Sequence, residues 1–344
     1  MIAYWVVYLA ASFLAIARLR VSALGWGLIV TGLTVFVGLR YQVGGDWDSY
    51  LYYLVRVANS SSVTEILGYK DPGYQLLNGL SFTLGFDVWF VNLVAAAFYS
   101  VGLVLFIRTL PDPKVALAVA IPYMTIVMAM GYTRQAMAFG CILWGLTYLR
   151  ERRLLGFVAL LALGTTFHKS AVILMPLAVL ANTKNRAWTA LWVGTTAIIL
   201  FVLFVQSHVD QLYSSYVASD YSDASQGGAI RAAMNVLPAL VYLLFHRRLV
   251  LEDQERSLWY WISWLALACV PLLAVSTTAV DRVALYLMPI QLVIASHFTY
   301  FFSAASRVLA RSLLLAFYGV VLFVWLNFAS HSNFWLPYRF WPLA

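Results

Sequence analysis

Charged residues are scarce in this sequence. Only 10% of its 344 residues are Asp, Glu, Lys or Arg, whereas soluble domains carry about a quarter. Hydrophobic residues make up 63%, and apolar runs of about 17–25 residues recur along the chain, each long enough to cross a hydrocarbon core of roughly 30 Å. A soluble domain is therefore excluded. The sequence predicts a single all-α polytopic membrane domain over residues 1–344, with about 10–12 transmembrane segments.

Cysteine is nearly absent, and the motifs of cofactor-dependent enzymes are absent altogether. Cys141 and Cys269 both lie in apolar runs, which argues against a disulfide framework. There is no Gly-x-Ser-x-Gly elbow, Walker loop or dinucleotide fingerprint, and no His/Cys cluster has the spacing of metal ligands. The net charge of +8 comes from residues spread along the chain. We therefore predict no cofactor, no metal and no nucleic-acid partner.

The basic residues mark the ends of the apolar segments. Because cytoplasmic loops carry an excess of Lys and Arg, the connections can be divided between two sides. One side then holds 14 of the 22 basic residues and 5 acidic ones, which makes it the cytoplasmic side and places both termini outside. The apolar segments lie near residues 3–17, 21–39, 88–107, 115–130, 134–149, 154–181, 187–206, 232–245, 257–276, 284–302 and 308–327.

The segment 154–181 does not fit a simple crossing. It is 28 residues long, yet the residues on both of its flanks are basic and belong to the cytoplasmic side. Two complete crossings need about 40 residues. A short reentrant hairpin with its tip at Thr165–Ser170 resolves the conflict, since irregular backbone at membrane depth is tolerated when it lines a cavity or is buried in protein. The alternative is one long tilted helix.

Two longer loops, 40–87 and 207–231, lie on the outer side and are expected to contribute to a functional site. The first carries the stretch from Gly38 to Tyr50, which combines an arginine, a glycine pair and two aspartates after the second apolar segment. From Asp46 to Ala58 the apolar residues recur at helical spacing, which predicts an amphipathic helix at the membrane interface.

Arginines collect on the outer side, where the positive-inside rule disfavours them. A guanidinium near membrane depth is costly and usually faces a cavity or a partner. Several of these groups from different helices would bind a pyrophosphate, because the guanidinium fork matches phosphate oxygens. The alternative for any one of them is a structural ion pair. These residues are Arg40, Arg56, Arg134, Arg231, Arg282 and Arg339.

Three further residues are candidates for chemistry. Asp46-Trp47-Asp48 resembles the Asp-x-Asp element with which sugar transferases hold a divalent metal, although a carboxylate at a helix start is often only a cap. His168 lies at the predicted hairpin tip. A buried, hydrogen-bonded structural histidine is the alternative for that residue.

Five short motifs, in order along nearly the whole chain, resemble the EpsG family of exopolysaccharide polymerases. They are Arg40-Tyr41 through Gly45-Asp46 to Tyr50, Asp71-Pro72-Gly73-Tyr74, Arg134-Gln135-Ala136-Met137-Ala138, His168-Lys169-Ser170-Ala171, and Asp281-Arg282-Val283 with Tyr286. The resemblance implies a Wzy-type integral membrane glycosyltransferase with a GT-C-like architecture. Asp71 departs from the glutamate common at that place in the family, so no catalytic role is assigned to it.

The resemblance also implies the reaction and its setting. A glycan on an undecaprenyl-pyrophosphate carrier is transferred to another lipid-linked repeat unit, at the outer face of the bacterial cytoplasmic membrane. A flippase and a chain-length regulator are the implied protein partners, besides the lipid-linked oligosaccharide and the bilayer.

We assign roles within that reaction as hypotheses. Arg40, Arg134 and Arg282 bind the pyrophosphate, and Arg231 joins them from the second loop. Asp46 is the first choice for the base that activates the acceptor, Asp48 is the second, and His168 is a further candidate. An O-antigen-type ligase and a transporter or flippase of lipid-linked sugars are the alternative functions.

Overall fold

The computed structural model describes residues 1–17, 19–180, 186–204, 226–303 and 305–344. Within these ranges the chain forms helices and no extended strand. The helices are α1 Ile2–Ile16, α2 Ala23–Gly38, α3 Trp47–Ala58, α4 Val63–Leu67, α5 Pro72–Thr83, α6 Val88–Ile107, α7 Pro113–Ala120, α8 Thr133–Arg150, α9 Leu154–Phe167, α10 Met175–Leu180, α11 Arg186–Phe204, α12 Gln226–Phe245, α13 Asp253–Leu272, α14 Thr277–Leu287, α15 Pro289–Phe298 and α16 Arg307–Phe328.

Length and composition confirm an all-α polytopic membrane protein. Among the described residues, four helical stretches are long and apolar enough to cross a membrane: Val88–Ile107, Ala229–Arg248, Ala279–Phe301 and Arg307–Phe328. Shorter apolar helices occupy Ile2–Ile16, Ala23–Gly38, Pro113–Ala129, Leu154–Phe167 and Ala187–Val202. The amphipathic helix predicted over Asp46–Ala58 is confirmed as α3, and its place at the membrane interface stays a prediction.

A π-helix, Ile121–Ala129, continues directly from α7. Such wide helical turns are rare and tend to occur at functional sites. All nine residues of this one are buried, and the chain then turns at Gly131 and Tyr132 into α8. The break between the predicted segments 115–130 and 134–149 is therefore confirmed, and it brings Arg134 into the first turn of α8.

The segment 154–181 is broken at the predicted place. Helix α9 ends at Phe167, and His168 has extended backbone with φ −153° and ψ 109°. A 3₁₀ turn over Lys169–Leu174 follows, and α10 then packs back against α9. This geometry excludes the single long helix. Residues 181–185 lie outside the described residues.

The connections predicted to be cytoplasmic meet at one end of the molecule, here called the basic pole. Lys114 Nζ donates hydrogen bonds to the carbonyl oxygens of Ala17 and Leu19, at 2.7 and 3.0 Å. Arg150 pairs with Glu255 at 3.3 Å. A further ion pair, between Arg311 and Asp112, joins the start of α16 to the connection before α7. Described residues of the connections predicted to be outside, among them Asp71 and Arg134, meet elsewhere, at what is here called the outer end.

Candidate active site

Connections predicted to lie outside enclose a cavity of about 420 Å³. It receives side chains from α3, the connection before α5, the start of α8, the hairpin tip, α11 and α14. The lining residues are Asp46, Tyr50, Tyr53, Lys70, Asp71, Tyr132, Arg134, Gln135, His168, Lys169, Ser170, Val172, Ile173, Phe201, Ala279, Arg282 and Val283. Four predicted site residues are therefore brought together: Asp46, Arg134, His168 and Arg282.

Asp46 reaches the cavity because the chain before it folds tightly. Gly44 has φ +110°, a conformation open to glycine, and a side chain there would overlap the backbone of Met130. Asp46 immediately precedes α3 but makes no side-chain capping bond within the described part of the chain. Its carboxylate instead accepts a 3.4 Å hydrogen bond from the Tyr50 hydroxyl. The same hydroxyl accepts a bond from the Thr133 amide at 2.8 Å, which ties α3 to the start of α8.

Asp71 connects two of the motifs. Its backbone is left-handed, with φ 56° and ψ 62°, and it directly precedes Pro72 at the start of α5. One carboxylate oxygen pairs with Arg134 Nη1 at 2.6 Å, and the other accepts a 3.2 Å bond from the backbone amide of Lys169. Arg134 also lies over the ring of Tyr53, with Cζ 4.8 Å from its centroid. Asp71 thus fixes both the arginine and the hairpin tip.

Arg282, from α14, completes the cationic surface. Its Nη1 donates to Gln135 Oε1 at 2.9 Å, and its Cζ lies 5.3 Å above the ring of Tyr132. Gln135 follows Arg134 directly, so the two arginines approach from different helices and meet at the first turn of α8.

His168 belongs to a hydrogen-bonded group at the hairpin tip. Its Nδ1 lies 2.6 Å from Ser170 Oγ and 3.3 Å from the Tyr286 hydroxyl, and these two oxygens are 3.1 Å apart. The side chain is half-buried and lines the cavity.

Arg40 does not line the cavity, which departs from its expected role as a phosphate ligand. It is 1% exposed. Its guanidinium donates to the carbonyl oxygens of Val43 and Val37 at 3.0 and 2.7 Å, to Thr133 Oγ1 at 2.6 Å and to Asn92 Oδ1 at 3.3 Å. Its donors are thus used to hold the chain reversal before Asp46, because burial requires every donor to find an acceptor.

Arg231 and Asp48 also lie outside the cavity lining. Arg231 is 3% exposed and forms an ion pair with Asp281, and it donates to the hydroxyls of Tyr123 and Tyr132 at 2.7 and 3.0 Å. Asp48 is exposed, one position into α3 beyond Trp47. The Asp-x-Asp pair is therefore split between the cavity and the surface. Residues 205–225, most of the predicted second loop, lie outside the described residues.

Comparison with known proteins identifies the family. The family model described as EpsG family matches residues 24–340, nearly the whole chain. The chain belongs to the EpsG family. None of the curated proteins and none of the solved structures matches. Membership gives the chain a general role of the exopolysaccharide-polymerase type in a membrane.

Sequence reasoning missed several cavity residues of this EpsG-family protein. Asp71 was left without a role because of its departure from the family pattern, yet it is 6% exposed and bonded to two motifs. Lys70 and Lys169 line the cavity beside it. Burial lowers the pKa of Lys70 below its ordinary value, with the nearby Arg134 acting in the same direction. The signal that could have given them a role is their place in the motifs: Asp71 and Lys169 lie within two of them, and Lys70 directly precedes one.

A cluster of metal-binding groups is not formed by the residues that the structure describes. No three His, Cys, Asp or Glu side chains among them lie close enough to hold an ion. Cys141 and Cys269 are both buried free thiols. The positive charge in the cavity lining of this EpsG-family protein comes from Arg134, Arg282, Lys70 and Lys169.

Proposed function

We propose that this protein is a polysaccharide polymerase that transfers an undecaprenyl-pyrophosphate-linked glycan onto another lipid-linked repeat unit. The observation that carries the proposal is the composition of the cavity. Arginines and lysines line one part of it and exposed apolar side chains line another, so a ligand that is an anion at one end and a lipid at the other fits both.

The cationic part suits a pyrophosphate. Arg134 and Arg282 offer planar donor forks from two helices, which is the arrangement that binds phosphate oxygens bidentately. Lys70 and Lys169 add two point charges beside them. Lys169 Nζ is buried and has no hydrogen-bond partner among the residues that the structure describes. An anionic ligand would supply one.

The apolar part suits an isoprenoid chain. Val172 and Ile173 from the hairpin tip and Phe201 from α11 line the cavity on this side. Ile173 is 48% exposed and Phe201 44% exposed. Large exposed apolar side chains in a membrane protein face lipid, so a carrier chain can leave the cavity sideways between these helices.

Asp46 is the proposed base. Of the two carboxylates in the lining, Asp71 is paired with Arg134, whereas Asp46 takes part in none of the ion pairs among the described residues. The acceptor hydroxyl oxygen attacks the anomeric carbon of the donor glycan while its proton passes to Asp46. The bond from that carbon to the phosphate oxygen breaks, and Arg134 and Arg282 stabilise the departing undecaprenyl pyrophosphate.

His168 is the second candidate for the base. Its hydrogen bonds to Ser170 and Tyr286 hold the ring at the cavity, where a base must lie within reach of the acceptor hydroxyl. Comparing Asp46→Asn with His168→Gln separates the two, because the true base gives the larger loss of elongation rate.

The proposal includes its setting. The cavity faces the periplasm or exterior of a bacterial cytoplasmic membrane, where a flippase supplies the lipid-linked repeat units and a chain-length regulator limits the product. The positive-inside distribution supports this orientation, because the residues at the basic pole carry the cytoplasmic excess of charge.

The decisive experiment is elongation by the purified protein. Incubated with lipid-linked repeat units, it should produce a ladder of longer glycans, and a parallel reaction with a chelator tests for a metal. Transfer of a single glycan onto a different lipid acceptor, without a ladder, would indicate a ligase. Movement of the substrate across a vesicle membrane without new glycosidic bonds would indicate a transporter.

A further inference from the structure

We propose that residues 332–341 are a positioning element of the active site and that Trp335 is their central residue. The inference rests on the proposed function, because it concerns how the base Asp46 is held opposite the arginines. Trp335 is absent from the cavity lining, so it acts through its neighbours rather than on the substrate.

Backbone hydrogen bonds join this segment to the chain that precedes Asp46. The Tyr41 amide donates to the carbonyl oxygen of Arg339 at 3.0 Å, and the Trp341 amide donates to that of Leu39 at 2.7 Å. These two bonds flank an antiparallel bridge between residues 40 and 340. The reversal before Asp46 is thus paired with a distant part of the sequence rather than closed by local turns alone.

A third backbone bond lies closer to the base. The amide of Gly44, two residues before Asp46, donates to the carbonyl oxygen of Phe334 at 2.9 Å. Gly44 is also the residue in contact with the backbone of Met130. Residues 332–341 therefore hold the loop of Asp46 against the end of the π-helix.

Trp335 extends the same contact toward the arginines. Its indole Nε1 donates to the carbonyl oxygen of Ile126 in the π-helix at 2.8 Å. The ring lies directly against Gly131, where a Cβ would come within 2.6 Å of Cζ2. Residue 131 is three positions before Arg134. Trp335 is 4% exposed, and its ring packs edge-on against that of Trp325, with the ring centroids 4.7 Å apart.

Two adjacent residues, Phe334 and Trp335, therefore contact both parts of the site. Trp335 packs on the turn that leads to Arg134, while its chain neighbour binds the loop that leads to Asp46. Because catalysis depends on near-attack geometry, a displacement of about 1 Å between base and pyrophosphate can cost about 100-fold in rate. Trp335 thereby sets the distance between Asp46 and Arg134.

The test compares Trp335→Ala and Trp335→Phe with wild type, in purified full-length protein. Phe328→Ala is the matched control, since this aromatic side chain lies outside residues 332–341 and is 73% exposed. Three quantities are measured: kcat and KM for elongation, affinity for farnesyl pyrophosphate, and amide hydrogen exchange in residues 39–46.

We expect Trp335→Ala to lower kcat by about 10- to 100-fold and to accelerate exchange in 39–46. Affinity for farnesyl pyrophosphate should stay within about threefold, since Arg134 and Arg282 bind it from helices α8 and α14. Trp335→Phe keeps a ring but loses the bond to Ile126, so it should give a smaller loss of kcat and serves as the test if the alanine variant does not fold. Phe328→Ala should match wild type.

An unchanged kcat in both Trp335 variants would overturn the positioning role while leaving the proposed function intact. Loss of pyrophosphate affinity in parallel with kcat would also overturn it, because that result indicates general disruption of the fold. A wild-type protein that binds farnesyl pyrophosphate but makes no ladder would overturn the proposed function itself.

Discussion

The two ends of the molecule both carry many arginines, but they use them differently. At the basic pole, Arg150 faces Glu255 beside a space of only about 10 Å³. At the outer end, Arg134 faces Asp71 beside a cavity of about 420 Å³. Both are ion pairs between helices. An ion pair is therefore a candidate binding site when its cation borders a space large enough for a ligand.

Removing the proposed base should give the largest effect at the outer end. Asp46→Asn keeps the shape of the side chain but cannot accept the acceptor proton, so elongation should fall by about 10²- to 10⁴-fold. The measurement is the initial rate of ladder formation in purified protein. Asp48→Asn is the control, because Asp48 is exposed and outside the lining; an equal loss in both variants would contradict the assignment of Asp46.

Arg134→Lys sharpens the comparison between the two ends directly. Lysine keeps the positive charge but loses the donor fork toward phosphate, so elongation should fall by about 10²- to 10³-fold and polymers should shorten. Membrane insertion should be intact. The matched variant is Arg150→Lys at the basic pole, for which we expect an almost unchanged rate; wild-type polymer length in Arg134→Lys would exclude the pyrophosphate role.

Arg40→Lys tests whether a buried arginine at the outer end behaves like one in the cavity. The variant loses hydrogen bonds to Thr133 and to backbone carbonyls, each costing about 1–3 kcal/mol when an acceptor stays buried and unpaired. The melting temperature should therefore fall. Affinity of the folded protein for farnesyl pyrophosphate should stay within about threefold. A stable Arg40→Lys protein that no longer binds farnesyl pyrophosphate would show that Arg40 belongs to the binding site.

The smallest predicted effect is a pH dependence from Lys70. Burial disfavours its charged form and lowers its pKa, so the lysine loses its charge at a lower pH than a free lysine does. Affinity for farnesyl pyrophosphate should accordingly begin to decline below the ordinary lysine value of 10.5 as the pH rises. The arginine of Lys70→Arg stays charged, so the affinity of this variant should decline less. Parallel curves of affinity against pH for the two proteins would exclude Lys70 from the anion site.

Sequence predicted the helices well because apolar length and basic flanks are local properties. The break at His168 and the turn before Arg134 follow from segments too short to cross a membrane twice. The helix after Asp46 follows from the helical spacing of its apolar residues. Those breaks lie on one side, so the residues at them could be expected to meet. The sequence therefore predicted that the residues at these breaks lie close together: Asp46, Arg134, His168 and Arg282.

The sequence does not reveal which arginines are buried in the protein interior and which line the cavity. Arg40 finds its acceptors on Asn92 and Thr133, which are 52 and 93 residues away, and no local pattern reveals those partners. Arg231 similarly depends on Asp281 from another helix. The sequence does not reveal the proposed role of Trp335 for the same reason. Aromatic residues such as those at 332–341 are also typical of anchoring at a membrane interface. Only the contacts of Trp335 with Ile126 and Gly131 distinguish positioning from anchoring.

The pairing of residues 39–44 with residues 334–341 also has a consequence in time. Gln42 and Arg339, whose side chains are hydrogen-bonded, are 297 residues apart. At a synthesis rate of about 5–20 residues per second, roughly 15 to 60 s separate the appearance of the first from that of the second. During that interval the loop before Asp46 is already made but has no backbone partner from residues 332–341. The backbone bonds that hold the loop before Asp46 can therefore form only after residues 332–341 have been made and have folded back onto it.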